Sequence, residues 1–182
     1  MTEMQHSIEG VVFLEPSRFH DTRGFFSPAV DLSSLNEEQA PFLRINNSLS
    51  VHRHTLRGLH LQLPPASEAK LIRVISGSIW DVVLDLRAQS STYGAHLGVE
   101  LSAKNRNWLY IPSGCAHGFL TLADQTEVLY LSSSDYRPEL EKGIRWNDPH
   151  FQINWPATPQ HFSEKDIQWP FFDPSAPLVV DV

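Results

Sequence analysis

Short apolar runs rich in Val, Ile, Leu, Phe and Trp recur along the chain, broken by turn residues such as Ser76-Gly77, Pro112-Ser113-Gly114 and Asn147-Asp148-Pro149. They predict strands over Val11–Leu14, Leu43–Val51, Lys70–Ile75, Ser78–Leu86, His96–Leu101, Asn107–Ile111, Gly118–Leu122 and Glu127–Ser132. Closely spaced strands with tight turns predict an all-β fold, a sandwich or a barrel. Helical signal is confined to Leu32–Gln39 and to Ser163-Glu164-Lys165-Asp166, which has the capping pattern that opens a helix. The proline-rich tail beyond is expected to pack over the body as irregular structure.

Side chains alternate across a strand, so the pattern also assigns faces. In Ser78–Leu86, Trp80, Val82, Leu84 and Leu86 share one face, and Ile79, Asp81, Val83 and Asp85 share the other. Two carboxylates on one face mark it as more than apolar core. In Glu127–Ser132, Tyr130 lies with Val128 and Ser132, opposite Glu127 and Leu129. A jelly roll encloses a pocket between its sheets, so inward polar residues are candidate ligand contacts.

Composition narrows the class. The chain has 182 residues, 41% hydrophobic and 19% charged, which suits one soluble domain. A net charge of −7 argues against a basic nucleic-acid or membrane-surface face but leaves room for a small anionic ligand held by a few converging cations. Cys115 is the single cysteine and has no partner for an internal disulfide. The first residues, MTEMQHSIEG, lack an apolar signal core, and no apolar run reaches membrane-spanning length. A cytoplasmic setting is therefore expected.

Two segments carry candidate chemistry: Leu56-Arg57-Gly58-Leu59-His60-Leu61-Gln62 and Ile111-Pro112-Ser113-Gly114-Cys115-Ala116-His117-Gly118-Phe119. A glycine-linked strand holding a histidine, then a Pro-x-Gly turn with a histidine three residues on, resembles the two motifs of the cupin barrels. Metal-binding cupins carry a His-x-His pair in the first motif; here it is His60-Leu61-Gln62. Only His60 and His117 remain as motif ligands, short of the roughly three that a catalytic divalent site needs. No metal and no other cofactor is expected, although His52, His54 and Glu68 lie nearby in sequence. Arg57, His60, Gln62, Lys70 and Arg73 are expected to crowd two neighbouring strands, a grouping costly to bury without a ligand.

In order along the chain stand Asp21-Thr22-Arg23-Gly24-Phe25-Phe26, Leu56–His60, Lys70-Leu71-Ile72-Arg73-Val74, Ile111–Phe119, Glu127–Tyr130 and Tyr136-Arg137-Pro138-Glu139. Trp146-Asn147-Asp148-Pro149, Ile153-Asn154-Trp155-Pro156 and Ser163-Glu164-Lys165-Asp166 follow. This ordered set, from about Ile8 to Pro170, resembles the dTDP-4-dehydrorhamnose 3,5-epimerase family. The resemblance implies a cupin-like jelly-roll barrel with a few short helices. It implies an epimerase acting on C3, C5 or both of a nucleotide-linked 4-keto-6-deoxyhexose. His60 matches the family's base, Asp166 the carboxylate that pairs with it, Tyr130 the tyrosine across the sugar, and Lys70 the lysine near the keto oxygen. Arg23, Arg57, His117, Glu141 and Lys165 match nucleotide-sugar-binding positions, Tyr136 matches the residue that stacks on the base, and Asn46 and Gln62 complete the expected binding set. The resemblance further implies a homodimer that exchanges N-terminal strands, with residues 1–50 shared across it, 51–135 as barrel core and 136–182 bringing Asp166.

The chemistry suits these residue types. Removing a proton α to a carbonyl needs a base near neutral pKa, which histidine supplies. A cation stabilises the enolate oxygen, and a tyrosine can return a proton from the opposite face. The chain departs from the family at Pro28, where a glutamate is usual, at Arg44-Ile45-Asn46 in place of Gln-Asp-Asn, and at Leu131 in place of lysine. Pro28 and Arg44 are thus the positions where nucleotide or sugar preference is expected to differ. Two other classes are a metal-dependent cupin, which stoichiometric iron or manganese would reveal, and a non-catalytic sugar-nucleotide-binding barrel.

Overall fold

The computed structural model describes residues 8–35 and 42–181. Among these, the strands are β1 Val12–Leu14, β2 Phe19–Asp21, β3 Gly24–Phe26, β4 Arg44–Ser50, β5 Leu56–Gln62, β6 Lys70–Ser76, β7 Ser78–Asp85, β8 His96–Ser102, β9 Trp108–Ile111, β10 Cys115–Thr121, β11 Thr126–Ser132 and β12 Glu141–Gly143. One helix, α1, covers Glu164–Gln168 and is capped by Ser163, whose hydroxyl accepts from the Asp166 N–H.

Two five-stranded antiparallel sheets form the body, one in the order β1-β9-β6-β11-β4 and the other β12-β5-β10-β7-β8. Their inner faces share one core: Ile72, Val74, Leu109, Ile111 and Val128 from the first sheet meet Ile79, Val83, Leu101, Cys115 and Phe119 from the second. Burying such side chains is worth roughly 1.5–3 kcal/mol each. The expected alternation in β7 holds. Ile79 and Val83 point into that core, whereas Val82, Leu84 and Leu86 pack outward under Ile144, Phe151 and Val180. The tail covers the second sheet irregularly, as its prolines predict, and Val180 N–H donates to the Leu86 carbonyl at 2.8 Å.

Some expectations change. Over Leu32–Gln39, the described part is a 3-10 turn, Leu32–Ser34, capped by Asp31 and followed by an extended Leu35; residues 36–39 lie outside the described residues. The strand expected at Gly118–Leu122 starts at Cys115, directly after the turn ending in Gly114. The hairpin β2–β3 and the short β12 carry no apolar alternation long enough to read. Strands β5 and β6 are not neighbours but belong to opposite sheets. Arg73 leaves the expected cluster altogether: strand alternation turns it outward, and its guanidinium lies over the Trp108 ring at 5.2 Å.

The pairing of β5 with β10 contains an irregularity that shapes everything inside. His60 pairs with His117 and Arg57 with Phe119, so Gly58 and Leu59 together oppose Gly118. This is a β-bulge, and its extra residue reverses the alternation. Residues 57 and 60 would fall on opposite faces of a regular strand; here both line the interior cavity while Leu59 and Leu61 pack outward. The bulge requires glycine on both strands. Gly58 has φ +104°, and a Cβ there would stand 2.5 Å from the His117 carbonyl oxygen; a Cβ on Gly118 would stand 2.7 Å from that of Arg57. Gly58→Ala should therefore lower the unfolding free energy by ~3 kcal/mol, from backbone strain plus overpacking. Gly94→Ala, at φ +80° with open space around it, should cost only ~1 kcal/mol. Urea denaturation of both variants checks this, and equal losses would contradict it.

Candidate active site

A cavity of about 500 Å³ opens between the two sheets. His60 and His117 come from β5 and β10 on one wall; Lys70 from β6, and Tyr130 and Ser132 from β11, form the other. The alternation that sends Val128 to the core also sends Tyr130 inward, as its sequence position predicts. Arg44, Asn46 and Ser48 alternate along β4 toward the cavity, and Tyr136, Glu141, Lys165 and Asp166 close it from the C-terminal segment.

His60 is half-buried in its wall. Burial, then the positive charge of Lys70, holds its imidazole well below the ordinary 6.5, and the neighbouring His117 acts in the same direction. It is thus neutral, and able to accept a proton, across the physiological range. Tyr130 is shifted the other way. Burial first, then the negative charge of Glu68, pushes its phenol above the usual 10, while Arg57 opposes the shift. The two walls therefore present a neutral base and a protonated acid toward a common space.

His117 is 4% exposed, and its Nε2 lies 2.9 and 3.0 Å from the two Asp81 oxygens. Asp81 is fully buried, so the imidazole gives this carboxylate its partner and the floor of the cavity is fixed. The carboxylate on the mixed face of β7 was the only sequence signal for this residue. Asp166, expected to pair with His60, lines the cavity with it but bonds to the strand and the helix cap instead. Its Oδ1 accepts from the Gly58 N–H at 3.1 Å and its Oδ2 from the Ser163 hydroxyl at 2.7 Å, tying α1 to the bulge.

The mouth is a network. Tyr136 OH donates to Glu141 Oε2 at 2.6 Å, and Lys165 Nζ bonds the same oxygen and lies over the Tyr136 ring at 5.7 Å. Burial works against the Lys165 charge, but its bonds to Glu141 and Tyr136 outweigh that and raise its pKa. Arg57 donates to the Ser50 hydroxyl and the Leu49 carbonyl, both at 3.2 Å. Arg44 pairs with Asp135 at 2.7 Å. Gln62 lines the cavity, but its amide is engaged by the backbone of Ala66, Asp135 and Arg137, so it braces the loop leading into Tyr136.

Two expected residues stand apart. Arg23 sits in the turn of the β2–β3 hairpin, 88% exposed and paired with Asp21, and neither it nor Pro28 lines this chain's cavity. Leu131 and Ile45 point away from it, Leu131 into the outer cluster with Leu71 and Trp108. Glu68 and Ser132 line the cavity without any motif to announce them. No group of three or more His, Cys, Asp or Glu among the described residues is placed to hold a metal ion. No helix among them is long and apolar enough to cross a membrane.

A family model described as dTDP-4-dehydrorhamnose 3,5-epimerase matches residues 5–174. The chain belongs to the dTDP-4-dehydrorhamnose 3,5-epimerase family. It is 39% identical to the dTDP-4-dehydrorhamnose 3,5-epimerase of Shigella flexneri over 170 residues, 92% of this chain and 93% of that one. It is 36% identical to a dTDP-4-dehydrorhamnose 3-epimerase of Streptomyces niveus over 162 residues, 87% and 78% of the two chains. The crystal structure of the Bacillus anthracis 3,5-epimerase, with TDP and PPi bound, is similar with a TM-score of 0.84 at 39% identity and covers 90% of this chain and 94% of that one. The protein is thus an isomerase on a cupin-like jelly roll.

Proposed function

We propose that this family member inverts C3, C5 or both of a dTDP-linked 4-keto-6-deoxyhexose, with the proton leaving one face and returning on the other. The observation that carries the reading is the placing of His60 and Tyr130 on opposite walls of one cavity, with opposite protonation preferences and Lys70 beside the tyrosine. His60 takes the proton α to the C4 ketone. The electron pair moves onto the keto oxygen, where the Lys70 ammonium donates; such a donor in a water-poor site is typically worth ~3 kcal/mol of barrier. Tyr130 then protonates the carbon from the opposite face. Asp166 holds the bulge from which His60 projects. Arg57, His117, Asn46, Glu141 and Lys165 surround the nucleotide sugar, and Tyr136 offers its ring to the base at the mouth. Arginine suits the diphosphate through paired hydrogen bonds.

Incubation with dTDP-4-keto-6-deoxyglucose in deuterated water tests this directly. Deuterium should enter C3, C5 or both, and the labelled positions identify the centres inverted. A 3-epimerase among the relatives makes a single-centre outcome a real alternative. His60→Asn should lower the exchange rate at least about a thousandfold while the substrate still binds. Absence of exchange in the wild-type protein would overturn the reading.

We further infer that the whole chain works as one epimerase unit in a cytoplasmic homodimer, with the N-terminal hairpin reaching the partner's cavity. Support comes from Phe19, Phe26, Ile45 and Leu49, large apolar side chains 52–72% exposed on the single chain, and from the place of β4 at the edge of its sheet among the described residues. The absence of Arg23 from the lining of its own cavity points the same way. Sedimentation should report a dimer, and Ile45→Lys with Leu49→Lys should give a monomer of much reduced activity. A fully active monomer would contradict this, and recovery in the membrane fraction of the native cell would contradict the cytoplasmic setting.

A further inference from the structure

Glu68 places a carboxylate in the wall of a cavity that must accept an anionic nucleotide and carry the charge of an enolate. An uncompensated negative charge there would oppose both. The structure shows how it is compensated. Glu68 Oε1 lies 3.1 Å from Lys70 Nζ, with the side chains only 13% and 7% exposed. Its other oxygen accepts the hydroxyl of Ser132. Ser132 pairs directly with Lys70 in the β11–β6 register and shares an inward face with Tyr130 two residues before it. Glu68, Lys70, Ser132 and Tyr130 thus form a continuous strip in the wall opposite His60.

Both carboxylate oxygens are engaged, which leaves Glu68 poorly disposed to shuttle protons. Its effect is on geometry. Lysine carries its charge on a flexible four-carbon stem with three donors, and ordering that stem during the reaction would cost conformational entropy. A carboxylate anchored at one oxygen and bonded to Nζ at the other orders it beforehand and leaves two donors for a ligand. We propose that Glu68 is a positioning residue for the reaction, fixing the Lys70 ammonium against Ser132 so that it already points into the cavity when charge develops on the keto oxygen. The proposal rests on the epimerase reading above.

The same carboxylate acts on Tyr130. Glu68 joins burial in pushing the phenol up, with Glu141 of β12 adding in the same direction and Arg57 of β5 opposing. The other ionisable groups lining the cavity are Arg44, His60, Lys70, His117, Tyr136, Lys165 and Asp166. Removing the Glu68 charge takes away one of the influences that keep Tyr130 protonated, so the tyrosine should ionise at lower pH.

Glu68→Gln keeps the shape and an acceptor but removes the charge; Glu68→Ala removes both; Ser132→Ala releases the anchor. With dTDP-4-keto-6-deoxyglucose, kcat should fall about tenfold in Glu68→Gln and about a hundredfold in Glu68→Ala, with KM within about twofold of wild type. Ser132→Ala should lower kcat several-fold in the same way. Independently of turnover, NMR of isotope-labelled tyrosine rings, assigned with Tyr130→Phe, should show the Tyr130 midpoint moving to lower pH in both Glu68 variants. A wild-type kcat in Glu68→Gln, or a kcat loss with an unmoved Tyr130 midpoint and lowered thermal stability, would overturn the proposal. If the wild-type protein exchanges no deuterium, the epimerase reading fails instead, while the tyrosine titration still reports whether Glu68 acts on Tyr130.

Discussion

The close approach of Gly58 to Gly118 is the contact on which the site depends. Because neither residue has a Cβ, β5 can carry one residue more than β10 opposite it. That single extra residue turns Arg57 and His60 to the same side. Without it, one of them would face the outer layer of Leu61, Leu84 and Phe151. Asp166 accepts from the Gly58 N–H, so the C-terminal helix is tied to the same point. Barrel, bulge and tail therefore constrain each other, and the position of His60 follows from all three.

Charge pairing is the second organising feature. The protein is acidic overall, yet its cavity holds Arg44, Arg57, Lys70 and Lys165. Three of these four have a carboxylate partner: Asp135 for Arg44, Glu68 for Lys70 and Glu141 for Lys165. Pairing limits the cost of bringing cations into a partly dry space before any ligand arrives. Arg57 is held by the Ser50 hydroxyl and the Leu49 carbonyl, neither of them charged. An incoming diphosphate therefore meets one guanidinium that has no carboxylate to surrender. Arg44, where the sequence leads one to expect a different ligand preference, is a cation already matched by the Asp135 anion.

Much of this was legible beforehand. Strand periodicity located most of the strands of both sheets, and the two faces of β7 separated as alternation requires. The ordered motifs brought His60, Tyr130, Lys70, Asp166 and most binding candidates to one cavity. What escaped the sequence did so for identifiable reasons. Two inward residues three apart look like a contradiction until the bulge is seen, and a bulge is a property of two strands together. Placing β5 beside β6 assumed that consecutive strands pair, but the chain crosses between sheets there. Arg73 follows from that error, since alternation alone would have set it opposite Ile72 and Val74. The partners of the functional groups, Asp81 for His117 and Glu68 for Lys70, were hidden because single carboxylates carry no motif. The hairpin holding Arg23 was hidden because three-residue exposed strands show no periodicity.

The fold presents His60 as a neutral base before substrate arrives. Histidine-ring NMR of the ligand-free protein across a pH series, with His60 assigned by its Asn variant, measures this most directly. His60 should stay neutral well below the ordinary value of 6.5, because burial and the nearby cations disfavour its charged form. A His60 that titrates at or above 6.5 in the folded protein would contradict it.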